Sequence, residues 1–184
     1  MAYRSDPQIF TDAYNFYLEG QYQKAYDLLT EVGPKYAGEE SRIAEWRMDI
    51  AARLGHLELA EEILEEALDS GFFYGEYALR KDEDMQPMQG RPLFETLVKR
   101  NYQILTEAQK KATPKLEIIN SGKAGKDGMP LLMALHGNSS NVKRFRDYWG
   151  ALEGSEWLVA LPQSSQVNGK DILCGMIWRS WRAR

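Results

Sequence analysis

Two short loops hold the residues of this chain whose types and spacing could do chemistry. His136-Gly137-Asn138-Ser139-Ser140 follows the apolar run at 131–135, and Pro162-Gln163-Ser164-Ser165 follows the apolar run at 157–161. An imidazole, side-chain amides, hydroxyls and a glycine that lets the backbone bend are groups with which a loop holds a ligand. A plainer use is equally open: Ser139, Ser140 or Asn141 capping the next helix while Gly137 makes the turn. Other chemistry has little material. The two histidines are His56 and His136, and the one cysteine, Cys174, excludes an internal disulfide and a multi-thiolate metal site. The glycine- and lysine-bearing stretch 121–128 lacks a Gly-Lys-Ser/Thr ending and leads into a strand, so it is not read as a phosphate loop.

The elements that must position these loops are legible from hydrophobic pattern. Residues 131–135 and 157–161 are continuous apolar runs bounded by Pro, Gly and polar residues, as expected of parallel strands covered on both faces. Residues 141–152 read as a helix between them. A strand-helix-strand crossover is right-handed and brings both strand ends to one edge of the sheet, where open α/β sheets bind ligands. Residues 115–120 are a further strand, with 121–128 as a hairpin connection between outer strands.

A His-Gly turn after one apolar strand, with Leu-Pro-Gln-Ser ending the next, resembles the α/β-hydrolase superfamily, nearest its esterase and carboxylesterase-like members. The resemblance implies that Asn138 supplies a backbone N–H to an oxyanion hole, with Gly137 bringing the amides close to a developing negative charge. It makes His136 a positioning residue of this His136-Gly137-Asn138 loop, and places Ser139, Pro162, Gln163 and Ser164 at the substrate. The superfamily also needs a Gly-x-Ser-x-Gly nucleophile elbow, then an acid and a histidine. None of these is in the sequence, so the chain by itself is expected to be inactive. By resemblance, the parent is a serine ester hydrolase acting on a small-molecule ester, with no cofactor and no metal.

The first part of the chain is of another kind. Asp6-Pro7 is a good helix start, and apolar or aromatic residues at helical spacing run through residues 9–29 with a break at Gly20. Gly20, Tyr22, Ala25 and Leu29 are matched 35 positions later by Gly55, Leu57, Ala60 and Leu64. That period resembles tetratricopeptide repeats, which stack helical hairpins and can hold a protein or peptide partner. Trp46, Ile50 and Leu54 are expected to face Ala60, Ile63 and Leu64 across the second hairpin. Residues 7–112 are read as helical, with 82–97 resembling the shortened end repeat of such arrays, an acidic-Pro turn leading into a short helix, and with Phe72, Phe73, Tyr74 and Tyr77 as repeat core in preference to a face docking on the second domain. The fold class is therefore an all-α hairpin region, residues 1–112, followed by an incomplete α/β-hydrolase-type sheet in 113–184.

Composition bounds the rest. With 184 residues, 43% of them hydrophobic, and a net charge of −4, the chain can hold a core and carries no basic stripe for nucleic acid. No run approaches the roughly 20 apolar residues of a membrane helix, and a cytoplasmic location with no membrane partner is expected. The Trp- and Arg-rich end, 175–184, departs from the acidic remainder. A single-base deletion near the Cys174 codon, truncating a longer enzyme, is the expectation it raises.

Overall fold

The computed structural model describes residues 7–119, 128–137, 140–170 and 172–173. The chain divides near Glu107 into a helical unit and a sheet-bearing unit.

In the helical unit, α1 (Gln8–Leu18) and α2 (Tyr22–Val32) form one antiparallel hairpin, and α3 (Glu40–Arg53) and α4 (Leu57–Asp69) form the next. Pro7 stands before α1 with φ −50°, which pre-sets the entry of the helix. The two hairpin turns are built alike. The Gln21 amide donates to the Phe16 carbonyl at 2.8 Å and the His56 amide to the Ala51 carbonyl at 2.9 Å, each closing around a glycine at φ 71° (Gly20) or 81° (Gly55). A third glycine, Gly90, lies a further 35 positions on with φ 81°. A Cβ at Gly55 would meet nothing within 4 Å, so Gly55→Ala is a test of backbone strain alone. It is expected to cost about 1–2 kcal/mol, read as a lower melting temperature. An unchanged melting temperature would show that the turn relaxes.

Two of the four matched pairs are core positions: Ala25, Leu29, Ala60 and Leu64 are all 0% exposed. Small residues let the helices approach, and Leu fills the space between them. One expectation is corrected. Ile50, Trp46 and Leu54 pack with Ile9, Phe10, Ala13 and Leu29 of the first hairpin, Phe10 and Trp46 meeting edge to face at 5.4 Å. Helix α3 lies between two neighbours, α2 and α4, and packs on both.

Residues 71–91 are less helical than expected. A wide turn at Tyr77–Lys81 and a 3-10 turn at Gln86–Met88 stand there, held by the buried Leu79, Met85 and Met88. The acidic run 82–84 and Pro87 give this stretch no helical face to bury. Of the aromatic group, Phe73 and Tyr74 are core, Phe72 is half-buried, and Tyr77 is 67% exposed, contrary to expectation. Helix α5 (Pro92–Lys111) follows, burying Phe94, Leu97, Val98 and Asn101.

The sheet unit contains β1 (Lys115–Ile119), β2 (Leu131–Met133), α6 (Val142–Trp149) and β3 (Leu158–Gln163). Strands β2 and β3 are parallel with α6 crossing between them, as the apolar runs predict. The order is β1-β3-β2, with β1 antiparallel to β3, so β1 and β2 do not form the hairpin expected of them. A separate antiparallel pair follows, β4 (Val167–Gly169) and β5 (Ile172–Leu173).

One face of the sheet packs on α6: Ile119, Val159 and Leu161 meet Val142, Phe145 and Trp149. The other face was expected to be covered and is not. Leu116 and Leu131 are 60% and 57% exposed, with Ile118 and Met133 beside them at 43% and 60%. The ladder aligns them into one apolar surface, Leu116 opposite Pro162, Ile118 and Met133 on either side of Ala160, and Leu131 opposite Leu158.

Candidate functional site

Because β2 and β3 are parallel, the loops that leave them emerge at one edge, and the first turn of α6 ties them together. Asn141 caps α6, its Oδ1 accepting from the Arg144 amide at 2.9 Å. Gln163, at the end of β3, accepts from the Val142 amide at 2.9 Å through Oε1. Two of the helix's unpaired amides are met, one from each side. Gln163 is 8% exposed, so its oxygen is turned to the helix and it joins the two loops. Gln163→Ala strips a buried amide of its acceptor and is expected to cost about 1–3 kcal/mol. A denaturant midpoint equal to that of the parent chain would rule out this role for Gln163.

His136 is 3% exposed and its ring stands edge-on to Phe145 at 6.4 Å. Its Nδ1 lies 2.9 Å from the Gly137 carbonyl oxygen, which can only accept, so Nδ1 is the donor in this contact. Nε2 is enclosed and has no partner among the described residues. Gly137 is exposed, and a Cβ there would meet nothing within 4 Å. Asn138 and Ser139, the expected oxyanion donor and its neighbour, lie outside the described residues, as does the 174–184 tail. Ser140 bridges to β5, accepting from the Leu173 amide at 2.9 Å. Pro162 is half-buried within β3, and the Ser164 hydroxyl accepts from the Gln166 amide at 3.3 Å.

A residue that sequence reading passed over fixes the second loop. Gln109, near the end of α5, donates from Nε2 to the Ser165 carbonyl at 2.7 Å and accepts from the Val167 amide at 3.0 Å. Its only signal in sequence is a polar residue on an amphipathic helix, which marks nothing. Among the described residues, no group of three or more His, Cys, Asp or Glu is placed to hold a metal ion. No described helix is long and apolar enough to cross a membrane.

The strongest electrostatics lie in the helical unit. Glu45 and Asp49 are one turn apart on α3, both half-buried, and Asp82 and Asp84 act on this face. Burial pushes the Glu45 carboxyl up to about 7, Arg42 pulling it down and Asp82 raising it. Asp49 is raised well above the carboxylate range, by burial first and then by Glu45, Asp82 and Asp84. Asp84 is compensated: Arg53 pairs with it, and the Tyr17 hydroxyl donates to its carboxylate at 2.9 Å. Burial, followed by that hydrogen bond, pushes the Tyr17 phenol up to about 12.

Comparison with known proteins decides the family. The model of the A/B hydrolase-like N-terminal domain matches residues 6–109, more than half of the chain. The chain belongs to this family. The match falls on the helical unit of this A/B hydrolase-like protein, whereas sequence reading took its hydrolase signal from the sheet. A crystal structure of an uncharacterized protein from Bacillus cereus ATCC 10987 is similar to it, with a TM-score of 0.55 and 25% identity over 94% of this chain. The A/B hydrolase-like chain spans about half, 54%, of that protein's length. No curated protein matches it.

Proposed function

We propose that these residues are the N-terminal part of a serine carboxylic-ester hydrolase, in which residues 1–112 are a helical region and 113–184 begin the catalytic sheet. The observation that carries this reading is the parallel β2-α6-β3 unit, with an enclosed histidine and a glycine at the carboxyl edge of β2, in a member of a hydrolase-like family. On this reading the Asn138 amide helps hold the oxyanion of an acyl-transfer intermediate, and His136 holds the turn through its Gly137 contact. Ser139, Pro162 and Ser164 belong to the rim of the substrate pocket, and Gln163, expected there from sequence, instead ties that rim to α6. The nucleophile, acid and base come from residues outside this chain, and the 54% coverage of the Bacillus cereus protein supports a longer parent.

The test is to sequence the gene past the Arg184 codon in all frames. A frame that continues into Gly-x-Ser-x-Gly and later Asp and His codons is expected. The longer product should hydrolyse a short acyl ester that the 184-residue chain does not. Absence of such a frame would remove the hydrolase reading.

A second reading rests on the helical unit. Three turns at Gly20, Gly55 and Gly90, spaced by 35 residues and all at positive φ, support a tetratricopeptide-like array that binds a protein or peptide. Retained binding of a cellular peptide by a chain without hydrolase continuation would favour it.

A further inference from the structure

The 35-residue spacing allows two seams of the helical unit to be laid over each other, and they are closed in opposite ways. In the later seam, α4 faces the turn at Gly90 with Glu58 and Glu61. Arg91 donates to both Glu61 oxygens at 2.9 Å and to Glu58 at 2.8 Å, and the Phe94 amide reaches Glu61 at 3.2 Å. The residues 35 positions earlier than Glu58, Glu61, Arg91 and Phe94 are Gln23, Tyr26, His56 and Leu59. Together with Ala51 and Leu54 these line a cavity of about 280 Å³.

The polarity is inverted. Where the later seam presents two carboxylates and fills them with a guanidinium, the earlier one presents donors. Arg47 lies one turn before Ala51 on the same face of α3 and donates to the Tyr26 hydroxyl oxygen at 3.2 Å, its guanidinium 5.4 Å from the Tyr26 ring. Arg47 is in no ion pair among the described residues, and its Nε is enclosed without a partner. With its oxygen already accepting, the Tyr26 hydroxyl has a proton to give, for which the described residues provide no acceptor. The exposed His56 ring also has no partner among them. Gln23 gives one of its two Nε2 hydrogens to Asp27 at 2.8 Å. The remaining lining, Ala51, Leu54 and Leu59, is apolar and closes the floor.

We propose that this cavity binds a small monocarboxylate. Its apolar body rests on Ala51, Leu54 and Leu59, and its carboxylate takes the Tyr26 hydroxyl and the His56 ring as donors, Arg47 standing outside the lining and acting through its hydrogen bond to the Tyr26 hydroxyl. The volume sits at the lower end of the range for small-molecule sites, which fits a short acyl acid and not a peptide. Inorganic phosphate is disfavoured because it would leave the apolar floor unused.

The chain has two histidines, so its imidazole resonances provide both a probe at the cavity and an internal control. In NMR titrations of the full 184-residue chain with hexanoate, the His56 ring signals are expected to shift saturably while those of His136 stay fixed. Hexylamine should give no saturable shift. Tyr26→Phe, which keeps the ring in place, is expected to weaken hexanoate about tenfold, and Arg47→Met, which acts through the Tyr26 hydroxyl, by a smaller factor. No saturable His56 shift up to about 20 mM hexanoate would overturn the proposal, since that concentration detects even millimolar affinity. An equal response to hexylamine, or unchanged affinity in both variants, would also overturn it.

Discussion

Raising the pH from about 5 to about 8 is expected to remove roughly 2–3 kcal/mol from the stability of the helical unit, because Glu45 stays protonated on α3 up to about pH 7. The ordinary carboxyl, near 4.5, describes the unfolded chain. A group whose folded pKa is raised contributes stability that is fully present below its unfolded pKa and is lost as the pH climbs through the folded one. Between these values the folded state holds a proton that the unfolded state has released. The cause is burial first, and ionised Glu45 would then face Asp82. Asp49 shifts in the same direction for the same first reason, and its enclosed Oδ1 has no hydrogen-bond partner among the described residues. Arg42 opposes the effect at Glu45, and Arg53 is committed to Asp84. Urea denaturation followed by helical circular dichroism at several pH values measures the slope, and Glu45→Gln should flatten much of it. Stability that is level or rising over this window would refute the assignment.

The second large effect is at Asn101, which is 0% exposed on α5. Its Oδ1 accepts from the Tyr74 amide and its Nδ2 donates to the Tyr74 carbonyl, both at 2.8 Å. One side chain thus meets both backbone groups of Tyr74 in a buried segment that has no helix of its own. Asn101→Leu keeps the volume and leaves both backbone groups unpaired, at about 1–3 kcal/mol for each. A loss of roughly 2–5 kcal/mol is expected, with near-normal helix content in the surviving folded population. The Tyr74 hydroxyl, bonded to the Ser41 carbonyl at 3.1 Å, would be released along with the segment. A variant within about 0.5 kcal/mol of the parent would show that water replaces the amide, against the usual cost of an unmet buried group.

What could be read from sequence follows from what pattern encodes. The hairpins of the helical unit were legible because glycine at a left-handed turn and alanine at a close helix contact are constrained one residue at a time, as Gly20, Ala25, Gly55 and Ala60 are. The third turn at Gly90 was missed because residues 75–89 hold the period with buried methionines and a wide turn instead of a helical stripe. The faces of α3 were misassigned for a different reason: Trp46 and Ile50 are apolar whichever neighbour they meet. In the sheet unit, strand positions and the crossover were legible, but apolar runs say nothing about what covers them, so the exposure of Leu116, Leu131 and Met133 could not be foreseen. Gln163 and Gln109 carry no pattern, since each acts through one long-range hydrogen bond.

The strand order β1-β3-β2 has a consequence for how the chain is made. The central strand is the last of the three to leave the ribosome, and neither of the first two has a partner until it arrives. From Ile119 to Gln163 is 44 residues, roughly 2–9 s of synthesis at typical rates. For that interval Leu116 and Ile118, joined part-way by Leu131 and Met133, belong to unpaired strands, while the helical unit, whose hairpins close on near neighbours in sequence, can already be folded. The arrival of β3 therefore pairs the backbones of β1 and β2, while these apolar side chains stay open on the uncovered face.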